Sequence, residues 1–188
     1  MAFVVIYDAC VLHDPAIRDL LIRVTGKRQL NLRARWSDDI LDEMEVSILR
    51  RRTDLDPKRL ERTRRLMIEA VPDCLVTGYE SLIDGLELPD ERDRHVLAAA
   101  IRSQAQAIVT FNLKDFPAAI LESHDIEALH PDDFLLGLMD LSEASVVAAF
   151  SEQIASLQNP PVTPASAIDA LRNRDLPQTA DALASILL

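Results

Sequence analysis

Short apolar runs alternate with segments of helical periodicity along this chain. The run FVVIYDA (3–9) is rich in β-branched residues and ends in a polar break, and AQAIVTFN (105–112) contains a similar run. Both patterns predict short buried strands. Weaker runs at 30–37, 74–79 and 126–130 predict further brief strands.

Apolar positions spaced three and four residues apart predict helices between these strands. Gly26 ends the first of them, and Ser37 is a candidate N-cap for the second. The predicted helices cover 15–24, 37–52, 57–70, 90–105 with Asp90 as the cap, 118–123, and a segment after Pro131.

Alternation of strands and helices predicts an α/β fold, with a mostly parallel sheet covered by helices on both faces in a three-layer α/β/α arrangement. The segment 141–188 differs, because it holds one amphipathic helix, the break NPPVTP and two further helical stretches. We therefore predict an α/β domain over 1–137 and a helical C-terminal extension over 138–188.

Composition narrows the class of protein. Hydrophobic residues make up 48% of the chain and charged residues 27%, as in ordinary globular proteins. No apolar run approaches the roughly 18 residues of a membrane span, and the N-terminus lacks a basic leader. Cys10 and Cys74 have no paired spacing. We expect a cytoplasmic protein without a membrane partner.

The charge is unevenly distributed. The net charge is −11, but residues 50–65 hold eight basic and three acidic side chains, a net of +5, so the rest carries −16. An acidic body disfavours nucleic acid, whereas a basic stretch can face phosphates. On sequence alone, a solvated pair of helices is the simpler explanation of the stretch, and the phosphate-facing patch stays open as the alternative.

Four carboxylates are candidates for chemistry. Asp8 and Asp115 follow the two clearest strands, where open α/β sheets bind ligands, although either is also an ordinary loop residue. Asp93 lies in the first turn of a helix, where capping competes with metal binding. Glu43 lies beside the buried stripe of its helix, and most such glutamates are solvated.

Together these acids indicate a metal site. Carboxylates gathered at one sheet edge repel each other, and a divalent cation usually offsets that repulsion. Oxygen ligands suit Mg²⁺ or Mn²⁺, which commonly act on phosphate esters.

Other chemistries have little support. Four glycines in total leave no phosphate-binding Gly-rich loop, and no Gly-x-Ser-x-Gly motif is present. The four histidines lack zinc-site spacing. His95, in the helix after Asp93, is expected to pack in that helix, although it could also line the site. Cys10 is expected to be a core thiol. A phosphotransferase of the haloacid-dehalogenase type needs a second Asp where Cys10 stands.

Four segments resemble the PIN-domain nucleases, particularly the bacterial VapC-like toxins. VVIYDACVL (4–12) is similar to the family's opening strand, and DERDRHVLAAAI (90–101) to its central acidic helix. AIVTFNLKDFP (107–117) resembles its last strand and loop, and WSDDILDEMEVSIL (36–49) the segment that supplies a glutamate. The resemblance covers about residues 3–135.

The resemblance implies a PIN-like fold with Asp8, Glu43, Asp93 and Asp115 as catalytic residues and ligands of Mg²⁺ (or Mn²⁺). It implies endoribonuclease activity on RNA phosphodiesters, a small antitoxin partner in a type II toxin–antitoxin system, and a possible homodimer. Cys10 stands where the family often has a hydroxyl or amide. The alternative is a non-catalytic PIN-like module that binds RNA or protein.

Overall fold

A four-stranded, fully parallel sheet forms the centre of the protein. The computed structural model describes residues 2–188, and the sheet order within them is β2-β1-β3-β4. The strands are β1 (Phe3–Tyr7), β2 (Leu32–Arg35), β3 (Ala107–Val109) and β4 (Glu127–Leu129). This arrangement confirms the predicted α/β class and the parallel sheet.

Helices connect the strands, and further helices come after the last strand in the chain. Over the described residues they are α1 (Ala9–Leu12), α2 (Pro15–Thr25), α3 (Asp38–Arg51), α4 (Pro57–Ala70), α5 (Glu80–Ile83), α6 (Arg94–Ser103), α7 (Ala118–Leu121), α8 (Pro131–Ser156), α9 (Pro164–Arg172) and α10 (Pro177–Leu187). The short helices α1 and α5 were not predicted from the sequence, because four residues are too few to show helical periodicity.

Burial explains why the central strands read as continuous apolar runs. Val5, Ile6 and Tyr7 of β1 are fully buried, as are all three residues of β3. A strand in the middle of a parallel sheet is covered on both faces, so both sets of side chains are apolar. Val5 pairs with Ala34 on one side and with Ala107 on the other, which brings the strand ends to one edge.

The prediction of a strand at 74–79 is wrong. Leu75 makes a single parallel bridge to Trp36, supported by hydrogen bonds of 2.9 Å from Trp36 N to Cys74 O and from Val76 N to Trp36 O. The ladder ends there because the next residue, Ser37, leaves the sheet as the N-cap of α3, with its Oγ accepting from Ile40 N.

The helix was predicted to begin directly after Asp90, but the α-helix begins at Arg94, four residues after Asp90. Asp90 Oδ1 accepts from Arg92 N at 2.9 Å and caps one 3-10 turn over Glu91–Asp93. The α-helix α6 then begins at Arg94, with Asp93 as its N-cap residue. The displaced start leaves the Asp93 carboxylate outside the hydrogen bonding of the cap.

The C-terminal helices pack on the body of the protein. Helix α8 bends at Ser142, whose φ of −161° and ψ of 86° are not helical, and it contacts α2 and α10. Its length and apolar composition would suffice for a membrane span, but 44% of its apolar stretch is buried within the protein. The predicted boundary at 137/138 lies inside α8 and stays a prediction.

Candidate active site

Asp8 is held rigidly at the carboxyl end of β1. Its backbone N–H donates to Val109 O of the neighbouring strand at 3.2 Å, and its extended backbone ends the strand. Its Oδ1 accepts from Ala9 N at 2.7 Å, so the carboxylate also caps α1. The residue is only 4% exposed. Burial therefore raises the pKa of Asp8, and the charge of Glu43 adds to that rise.

Two side chains orient the second oxygen of Asp8. Thr110 Oγ1 donates to Asp8 Oδ2 at 2.7 Å, and Cys10 Sγ lies 3.2 Å from the same oxygen. The Phe111 backbone N–H donates to Cys10 Sγ at 3.2 Å, and the Asn112 N–H donates to Thr110 Oγ1 at 3.0 Å. Cys10 thus makes the polar contacts expected of a hydroxyl at this position, and it ties β1 to the loop after β3.

Asp93 lies at the start of α6 with a free carboxylate. It makes no side-chain capping hydrogen bond, so the competition between cap and ligand that the sequence left open does not arise. Burial and the negative charges of Asp8, Asp90, Glu43 and Asp115 together raise the pKa of Asp93 to about 7. The other three predicted site acids, Asp8, Glu43 and Asp115, therefore all act electrostatically on Asp93.

Glu43 and His95 form a pair between α3 and α6. His95 Nε2 lies 3.3 Å from Glu43 Oε2. Burial lowers the pKa of His95, but the hydrogen bond to Glu43 and the charges of Glu43, Asp39 and Asp8 outweigh it, and the net pKa is raised. Glu43 is half exposed. Glu43, which lies beside the buried stripe of α3, thus faces α6.

Asp115 and Asp90 differ in how they are held. Asp115 lies in the 3-10 turn Leu113–Asp115 after β3, partly buried, and its carboxylate has no hydrogen-bond partner among residues 2–188. Asp90 instead pairs with Arg92 at 2.6 Å, which holds the pKa of its carboxyl at about 2. Asp115 is therefore available to a ligand, while Asp90 is already neutralised.

The carboxylate oxygens of these acids suit a hard divalent cation, although they do not form a closed coordination shell. Within the described residues, no three His, Cys, Asp or Glu side chains lie close enough to form a ready coordination shell. Burial first, and then the negative charge of neighbouring acids, raises the pKa values of Asp8 and Asp93. Carboxylate oxygens are hard ligands that bind Mg²⁺ or Mn²⁺ in preference to softer metals. The residues present therefore fit such an ion.

The sequence favoured packing within the helix over a place beside the site for His95. In the structure its Nε2 contacts Glu43, and its Nδ1 is buried without a partner among residues 2–188. The available signal was a polar residue two positions after Asp93 at the start of an apolar run. Thr110 was given no role from the sequence, because its bond to Asp8 joins residues 102 positions apart.

Comparison with known proteins agrees with this geometry. A family model described as "PIN domain" matches residues 4–114. A second model, described as "VapC50 C-terminal domain", matches residues 131–185. No solved structure matches the chain significantly.

One curated relative is similar over the central part of the chain. "Putative ribonuclease VapC50" from Mycobacterium tuberculosis is 47% identical over 103 residues, which are 55% of this chain and 60% of that protein. The match thus spans less than two thirds of the relative. Because the PIN-domain model covers more than half of the chain, this protein belongs to the PIN-domain family.

Proposed function

We propose that this protein is a Mg²⁺- or Mn²⁺-dependent endoribonuclease. The observation that carries the proposal is the convergence of acids on Asp93, whose pKa rises to about 7 through burial and through the charges of Asp8, Asp90, Glu43 and Asp115. Family membership and the name of the curated relative support RNA as the substrate.

Asp8 and Asp93 would hold the principal cation, with Asp115 and Glu43 completing the shell or positioning water. When bound, the cation would offset the negative charge of the carboxylates and of the scissile phosphate. Thr110 and Cys10 fix the orientation of Asp8, so this ligand is pre-organised. His95, in contact with Glu43, limits the rotation of that side chain.

The wider biology follows from the same family. We propose that the protein acts in the cytoplasm as the toxin of a type II toxin–antitoxin system, neutralised by a small antitoxin, and that it can form a homodimer. The match of residues 131–185 to the VapC50 C-terminal model supports relationship to that toxin group. We also propose that residues 1–137 form the nuclease domain and 138–188 its helical extension.

Incubation of the purified chain with mixed single-stranded RNA tests the activity. We expect endonucleolytic cleavage with Mg²⁺ or Mn²⁺ and none with EDTA. RNA binding without cleavage in either metal would contradict the proposal and favour the non-catalytic PIN-like module. Cleavage that persists in EDTA would contradict the metal requirement.

A further inference from the structure

A cleft lined by arginines lies one short helix away from Asp8. It has a volume of about 510 Å³ and lies between the start of α2, the end of α3 and the start of α4. Its charged lining is basic except for Asp14, and it includes four arginines: Arg18, Arg51, Arg52 and Arg59. We call these residues the arginine cleft.

Existing ion pairs leave part of this positive charge uncompensated. Asp14 is engaged by Arg174, whose Nε lies 2.9 and 3.0 Å from its two oxygens, and Arg52 pairs with Asp54 at 2.8 Å. Arg59 has no side-chain partner among residues 2–188. Arg51 has only His13, at 2.9 Å from its Nη1. Two exposed guanidinium groups therefore face the cleft without a counter-charge.

The surroundings of His13 record the same positive field. Burial lowers the pKa of His13, and the charge of Arg51 lowers it further. Apolar residues also line the cleft, namely Pro15, Ile48, Leu55 and Leu60. Guanidinium groups beside apolar residues match a nucleotide, because arginine pairs with phosphate and also stacks on bases.

The cleft and the acidic site are joined by two helices. Asp8 caps α1, and His13 ends it, so the two residues are separated by roughly 7–8 Å along the helix axis at about 1.5 Å per residue. Helix α3 carries Glu43 and, eight residues later, Arg51. A strand of RNA that spans this separation would contact both sites.

We propose that the arginine cleft binds the backbone of single-stranded RNA beside the scissile bond, with Arg51 and Arg59 contacting its phosphates. The inference rests on the proposed ribonuclease function. Only part of the basic stretch 50–65 would contact RNA, since Arg64 pairs with Asp38 within the fold.

Binding of a labelled single-stranded RNA in EDTA tests the cleft without cleavage. We expect Arg59→Glu to weaken binding roughly tenfold and to reduce the slope of log affinity against log salt by about 0.7 for each phosphate that the variant no longer neutralises. Arg65→Glu is the matched control. It lies on the same helix and is exposed outside the cleft, with only a 3.7 Å pair to Glu69, so it should stay within about twofold of wild type.

A second variant guards against misfolding. Arg51→Ala combined with Arg59→Ala should weaken binding further while its thermal unfolding stays cooperative, because both side chains are exposed. Equal affinity for the wild type and Arg59→Glu, or no binding by the wild type at low salt, overturns the inference. So does a polyglutamate peptide that displaces the RNA better than unlabelled RNA, which would identify an acidic protein ligand.

These results separate the cleft from the nuclease activity. If metal-dependent cleavage by the wild type persists while Arg59→Glu binds RNA normally, the cleft assignment fails and the ribonuclease stands. If the wild type binds RNA through the cleft and never cleaves it, the cleft stands and the proposed catalysis fails. With both correct, Arg59→Glu raises KM and leaves kcat near the wild-type value.

Discussion

Each acid of the candidate site is held differently, and the differences suggest separate roles. Asp8 is buried and receives hydrogen bonds on both oxygens, from Ala9 on one and from Thr110 on the other. Asp93 and Asp115 receive none on their carboxylates among the described residues. A ligand arriving at the site would therefore meet one fixed carboxylate and two that are free to adjust.

The shifted pKa of Asp93 leads to a test of stability against pH. The folded pKa of about 7 lies above the ordinary value of 3.8 for an aspartate, so the folded state binds the proton more tightly than the unfolded state. This contribution to stability is present below about pH 4 and is lost as pH rises towards 7. In EDTA, we expect the Tm of Asp93→Asn relative to wild type to increase from pH 5 to pH 8.

The expected change in Tm and the choice of control variant both follow from this shift in the pKa of Asp93. Each kcal/mol corresponds to about 2–4 °C in Tm for a chain of this length, so a rise of several degrees is measurable. Asp54→Asn is the control, because this exposed carboxyl pairs with Arg52, which holds its pKa at about 2, and its charge does not act on Asp93. A Tm difference for Asp93→Asn that does not change with pH would contradict the raised pKa.

The sequence predicted where the candidate acids lie along the chain better than what they contact. Asp8 and Asp115 were predicted at strand ends, and the structure has them there. The bond from Thr110 to Asp8 and the pair of Glu43 with His95 join residues 102 and 52 positions apart. Periodicity carries no information on such contacts, because they depend on how neighbouring strands and helices are packed.

At the scale of elements, a buried acid fastens the C-terminal helices. Asp132 of α8 is 2% exposed, and its two carboxylate oxygens accept from Gln178 N at 2.9 Å and Thr179 N at 2.8 Å. Helix α10 has no capping side chain of its own. Asp132 therefore satisfies the free N–H groups at the start of α10 from another helix.

We expect Asp132→Ala to lower the free energy of unfolding by about 2 kcal/mol, because the buried N–H of Thr179 and the part-buried N–H of Gln178 lose their acceptor. Hydrogen exchange should accelerate most in α10. Asp133→Ala is the matched control, since Asp133 is the exposed neighbour and accepts only from the Gln178 side chain at 3.1 Å. Equal effects of the two substitutions would show that α10 does not depend on Asp132.

Strands and helices were predicted well where apolar patterns were long, and poorly at their ends. Helices α3 and α4 lie within a residue or so of the predicted bounds, because Ser37 and Pro57 mark their starts. The segment 74–79 has a strand-like composition, yet it pairs only at Leu75. Its partner Trp36 is the last residue before the N-cap of α3, and a sequence window does not contain that information.

At the scale of the molecule, an acidic body carries one basic region. The net charge of −11 would repel RNA, while the stretch 50–65 contributes +5. Asp8 and the arginine cleft lie at opposite ends of α1. A cation held by the candidate acids, together with the arginines of the cleft, would attract the same phosphate backbone.

Replacement of one oxygen of Asp8 tests the metal-dependent ribonuclease most directly. Asp8→Asn keeps the shape of the side chain, and its amide is able to face Thr110 Oγ1, so we expect the fold and the Tm to be retained. Because the raised pKa shows that the charged carboxylate is disfavoured by folding, the Tm should not fall. Cleavage of RNA in Mg²⁺ or Mn²⁺ should be abolished, and full cleavage by a folded Asp8→Asn variant would contradict the account.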